Sequence, residues 1–191
     1  SAGRLSWGAS MKLLNAFAEQ VKDLGKLKRV WLTSFCIDIE FIETYLAYTG
    51  GPDSERTILN TCMHAANQKI AKAVSGNREY DGMGATLIGV SCDLENRLFE
   101  WVSVGDSLLL LERRGRLQLL NQLHSHREWM RLIFESDARE GKEVDWSRLD
   151  RLRDPEGLVS AVNGDAIEWY DLPPLGIDVE PGDILILASD G

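Results

Sequence analysis

The spacing of apolar positions changes midway along the chain. Within residues 11–24, Leu13, Leu14, Phe17, Val21 and Leu24 recur every three or four positions, the period of one helix face, and Gly25 supplies a stop. Over residues 30–48, Leu, Phe, Ile and Tyr fall on more than one side, which predicts a well-buried helical stretch broken by Gly50-Gly51-Pro52. Asp53 or Ser54 then caps a third helix reaching about Val74. Its inner face is Ile58, Cys62, Ala65, Ala66, Ile70 and Ala73, and Gly76-Asn77 ends it.

From Gly82 onward the pattern is that of strands. Residues 85–90 form an apolar run, 97–104 alternate, and 107–112 and 117–120 follow after tight turns at Gly105-Asp106 and Arg114-Gly115. These intervals predict adjacent antiparallel strands in a meander. A helix is expected over 127–136, a solvated and partly helical insertion over 137–154, and further strands at 166–169 and Ile184–Ala188. The last of these is an unbroken apolar run, expected to be covered on both faces. Pro181-Gly182-Asp183 turns the chain into it, and Ser189-Asp190-Gly191 sets a carboxylate at its mouth, a place suited to a hard cation. Helices in one block and strands in another make the fold class α+β.

The 191 residues make a single domain, 1–191, which ends where a strand should lead into another element and so reads as incomplete. A net charge of −9 argues against nucleic acid or an anionic membrane as partner. Cys36, Cys62 and Cys92 are far apart and lack zinc spacing, so they read as reduced, buried thiols. With no signal-peptide pattern and no apolar run near about 18 residues, the expected location is cytoplasmic.

Gly82-Met83-Gly84-Ala85-Thr86-Leu87, then Val104-Gly105-Asp106-Ser107, then Pro181-Gly182-Asp183 leading to Ser189-Asp190-Gly191, resemble in order and interval the type 2C metal-dependent Ser/Thr protein phosphatases. Ala66-Asn67 ahead of Gly82 fits, and Leu158-Val159-Ser160-Ala161-Val162 with the stretch from Ile167 to Pro173 resembles bacterial members. The resemblance covers residues 54–191. It implies an antiparallel β-sandwich flanked by helices and two Mn²⁺ or Mg²⁺ ions bridged by an aspartate and water. It also implies a phosphoprotein substrate, in-line attack on the phosphomonoester by a metal-activated water, and a role in signalling.

The departures from that pattern matter as much. The family's Arg-x-x-Asn-Glu-Asp and Asp-Gly-x-Gly-Gly motifs have no counterpart, and its C-terminal Asp-Asn lies beyond the end of this chain. Only Asp190 maps onto a metal ligand, and no catalytic residue is assigned. Asp81, in Tyr80-Asp81-Gly82-Met83-Gly84, reads as the residue before a structural strand rather than as a ligand. Asp106 reads as a turn residue, and Ser107 has no base at motif spacing. His124 and His126 flank Ser125 in a loop that resembles the family's Asp-His-Ser, without a ligand cluster around them. His64 reads as a core-edge residue, the six tryptophans as core and loop anchors, and Arg113-Arg114-Gly115-Arg116 as a solvated turn. Two readings follow: a phosphatase of which this chain is an incomplete copy, or a non-catalytic pseudophosphatase that binds a protein partner.

Overall fold

The computed structural model describes residues 28–32, 38–48, 53–76, 80 and 82–189. The helix expected over 11–24, Cys36, Asp81 and Asp190 lie outside the described residues.

The elements in chain order are β1 (Lys28–Leu32), α1 (Asp38–Tyr48), α2 (Glu55–Gly76), β2 (Leu87–Asp93), β3 (Leu98–Val104), β4 (Leu108–Arg113), β5 (Arg116–Leu119), α3 (His126–Arg139), a short 3₁₀ helix (Trp146–Arg151), β6 (Ile177–Asp178) and β7 (Ile184–Ala188). They build two antiparallel sheets, β1-β2-β3-β6 and β5-β4-β7.

The period-two pattern of β2 sorts the core into two layers. Leu87, Gly89 and Ser91 face α1 and α2, while Ile88, Val90 and Cys92 face the second sheet. On the helical side Phe41, Leu59, Cys62, Met63, Ala66 and Ile70 pack against Leu87, Val102 and Val104. Between the sheets Ile88, Val90, Phe99, Trp101 and Leu109 meet Leu185 and Leu187. Gly89 is required by close approach: a Cβ there would lie 2.4 Å from Phe41 Cζ.

α2 starts as its sequence indicates, with Ser54 Oγ accepting from Thr57 N at 3.3 Å. Its buried face includes Ile58, Cys62, Ala66 and Ile70, whereas Ala65 and Ala73 are half-buried. Cys62 and Cys92 are free and buried, and burial pushes the Cys62 thiol up to about 12.

Four expectations are corrected. The apolar stretch 30–48 is not one helical unit: Lys28–Leu32 pairs with β2, and the helix begins at Asp38. Val30-Trp31 suits a pleated surface as well as a helix, and a continuous apolar run does not separate the two. The meander is also split. β2–β3 and β4–β5 are hairpins, but β3 and β4 lie in different sheets because the chain crosses the sandwich at Gly105-Asp106. Residues 166–169 form no strand; the flanking residues Val162 and Asp171 make isolated bridges to Ala85 and Ser103. Finally, β7 is covered on one face only. Leu185 and Leu187 point inward, while Ile184 and Ile186 share an exposed outer face with Leu117 and Leu119 among the described residues.

Candidate functional site

One edge of the sandwich gathers segments that are distant in sequence. The approach to β2 (82–86) and the β3–β4 turn meet there because Leu87 pairs with Val104. The end of β7 joins them because Leu108 pairs with Ala188. The segment before α3 completes the edge, with His124 N donating to Gly105 O at 3.0 Å.

The turn itself is tightly specified. Gly105 has φ +97°, and a Cβ there would meet Thr86 Cγ2 at 2.4 Å. Ser107 is buried, with its Oγ 2.7 Å from Thr86 Oγ1, which makes it a structural hydroxyl rather than a nucleophile. Asn121 fastens the start of β4. Its Oδ1 accepts from Leu109 N at 2.7 Å, and its Nδ2 donates to Ser107 O at 2.9 Å and to Ser103 Oγ at 3.3 Å.

His124 is fully buried behind this turn. Gly105 N donates to its Nδ1 at 2.9 Å, so that nitrogen carries the lone pair and the proton sits on Nε2. Nε2 is buried without a hydrogen-bond partner among the described residues. Desolvation pushes the imidazole down to about 4, against the opposing pull of Asp171, so the ring is neutral at pH 7. Its ring centroid lies 4.5 Å from that of Trp169, with the two planes tilted by 47°. Asp171 is engaged in turn, its Oδ2 accepting from Trp101 Nε1 at 2.9 Å and from Gln122 N at 3.1 Å.

Other sequence-marked residues have structural roles as well. Asp183 of the Pro-Gly-Asp turn takes a bidentate hydrogen bond from Arg113 (2.8 and 2.6 Å) and one from Glu180 N at 2.8 Å. The pairing with Arg113 holds its carboxyl below the usual carboxylate range. Asn67 ties α2 to the loop before Asp165, donating to Asp165 O at 2.6 Å and accepting from Gly164 N at 2.9 Å. Ser125 caps α3, accepting from Glu128 N at 3.4 Å, and His126 Nδ1 lies 3.0 Å from Asp154 O. His64 is exposed on α2, with its ring 6.2 Å edge-on from Tyr170. Arg114 is a solvated turn residue as expected, but Arg113 is not. Trp101 is buried and Trp169 half-buried, as anchors should be, whereas Trp129 and Trp146 are 47% and 46% exposed.

The fastening work of Asn121, His124 and Asp171 was not legible in the sequence. Each has partners that lie far along the chain, and the family-like segments around His124 and Asp171 do not signal those partners. Among the described residues, no three His, Cys, Asp or Glu side chains stand close enough to hold a metal ion. The described part of the edge therefore does not by itself fit a two-cation centre.

No family model and no curated protein matches the sequence. Solved structures do match. A Stage II Sporulation E family protein from Thermanaerovibrio acidaminovorans is 18% identical with a TM-score of 0.59, over 85% of this chain and 75% of that one. The Mycobacterium tuberculosis serine/threonine phosphatase PstP/Ppp is 18% identical with a TM-score of 0.59, over 85% and 67%. A catalytic domain of PstP in complex with two manganese ions is 18% identical with a TM-score of 0.54, over 86% and 71%. The chain thus spans about two thirds to three quarters of the length of these three proteins. At this identity the likeness is one of architecture, and together with the sandwich and its motif-bearing edge it gives this chain the fold of the type 2C serine/threonine phosphatases.

Proposed function

We propose that this protein is a type 2C-like phosphoprotein phosphatase, hydrolysing phosphoserine or phosphothreonine with Mn²⁺ or Mg²⁺, and that Asp190 is one of the metal ligands. The observation that supports this reading is the convergence of residues 82–86, the Val104–Ser107 turn and Ser189 on one sandwich edge, in the order the phosphatase motifs require. A bound divalent pair supplies an activated water and neutralises phosphoryl oxygens. The described residues contribute a rigid frame for that edge, and the remaining ligands have to come from elsewhere in the protein.

A second reading, a non-catalytic module that binds a phosphoprotein or other partner, draws on a specific observation. The family's Arg-x-x-Asn-Glu-Asp and Asp-Gly-x-Gly-Gly motifs have no counterpart in the sequence.

The two readings separate in one experiment. Mn²⁺-dependent hydrolysis of a phosphopeptide and of p-nitrophenyl phosphate is measured for the 191-residue chain and for the full gene product. The first is expected to show little or no turnover. The second is expected to be active and to lose most of its rate with Asp190→Asn, because a site that balances cations loses a charge. Inactivity of the full product at saturating Mn²⁺ favours the binding module. Robust turnover by the 191-residue chain means that it carries ligands beyond Asp190, with Asp81 the first to test.

A further inference from the structure

Between α3 and residues 158–169 runs a groove of about 970 Å³. Trp129, Leu132 and Ile133 form its helical wall, and Val159, Ala161 and Trp169 face them. Asp165 and Glu168 add carboxylates, while no Lys or Arg among the described residues lines it. Asp165 accepts from Asn163 Nδ2 at 3.1 Å, and neither carboxylate has a cationic partner among the described residues.

Contacts with neighbouring residues fix both walls. Trp169 is held by its contact with His124, by its Nε1 donating to Gln122 Oε1 at 3.3 Å, and by its carbonyl accepting from Ser160 Oγ at 2.5 Å. Val159 N donates to His124 O at 3.0 Å, which ties the loop to the base of α3. Phe134, buried on the far side of α3, stacks edge-on with Trp146 at 5.8 Å. Trp129 is left about half exposed at the rim. A preformed apolar trough with an aromatic rim and uncompensated negative charge complements a cation next to a bulky apolar group.

We propose that this groove docks a segment of a partner protein in which Arg or Lys stands beside a large apolar residue. The apolar group packs on Trp129 and Ile133, the cation is held by Asp165 or Glu168, and the net charge of −9 favours encounter. Docking requires no metal ion, so its success or failure is separate from that of the phosphatase reading.

The probe is a fluorescein-labelled peptide, Ala-Arg-Leu-Ala-Arg-Phe-Ala, titrated with the 191-residue chain by fluorescence polarisation. One twin carries Glu for Arg, and another carries Ser for Leu and Phe. The basic amphipathic peptide is expected to bind at least about 10-fold more tightly than either twin, and added salt should weaken it. Trp129→Ala should reduce binding about 10-fold, and Asp165→Asn with Glu168→Gln about 5-fold or more. Circular dichroism checks that each variant is folded; if Trp129→Ala is not, the carboxylate pair decides. Equal binding of the twins, no binding at millimolar protein, or unchanged binding by the folded variants overturns the proposal. So does self-association of the chain that Trp129→Ala or the carboxylate variant abolishes, which would assign the groove to a second copy.

Discussion

His124 should make this protein acid-labile in a way that can be isolated from its many carboxylates. The neutral ring accepts from Gly105 N through Nδ1 and is fully buried, so protonation removes that acceptor and creates a buried charge. Its folded-state value of about 4 lies below the ordinary 6.5. At 1.36 kcal/mol per pH unit, that interval is worth about 3 kcal/mol. The sign follows from proton linkage: between these values the unfolded chain binds the proton and the folded chain does not. The contribution is therefore fully present above about pH 6.5, declines as pH falls, and is gone near pH 4. Urea denaturation from pH 7 to 4 measures it, with His124→Asn as the reference because its side-chain oxygen can take the place of Nδ1. Wild type should lose about 3 kcal/mol more than the variant over this range, the shared carboxylates cancelling. Parallel curves, or an NMR titration of His124 with a midpoint above 6, would refute the reasoning.

Gly89→Ala should destabilise by about 1–3 kcal/mol in denaturant titration, since the new methyl group meets the Phe41 ring, and Phe41→Leu in the same chain should restore part of the loss. Asp183→Asn should lower Tm by several degrees at pH 7, because it discharges the carboxylate that Arg113 clasps. Since that carboxyl is held below its ordinary range, its contribution is present above that range and lost as pH falls through it, so the gap between wild type and variant should narrow in acid.

Much of the fold was legible because local rules and tertiary structure agree there. Ser54 and the apolar face from Ile58 to Ile70 mark α2, and the apolar run 85–90 and the alternation over 97–104 become the paired strands β2 and β3. What was illegible depended on partners remote in sequence. A Gly-Asp turn reads the same whether its strands pair or separate into two sheets, and here Thr86 and Asn121 hold the corner. Residues 166–169 have strand-like composition, but Asn67 and Gln122 secure their neighbourhood by side-chain bonds instead of a ladder. The candidate site was legible as three motif segments at one edge; its fastening by His124 and Asp171 was not, because the family-like segments that hold these residues do not say which distant groups they bond.

The bonds from Asn67 to the loop at Gly164 and Asp165 bear on how the chain acquires its structure. Asn67 and Asp165 are 98 residues apart, and the Trp101–Asp171 and Arg113–Asp183 contacts each span 70. Closures of this length favour slow folding, with the loop-closure cost met before the contacts reward it. During synthesis at about 5–20 residues per second, α2 emerges roughly 5–20 s before the loop that satisfies Asn67. Over that interval its apolar face can pack on β2 and β3 while the amide stays hydrated. Pulse-labelled hydrogen exchange should accordingly find amides of α2 and β2–β3 protected before those of Val162 and Gly164, which gain their acceptors only when the late segment arrives.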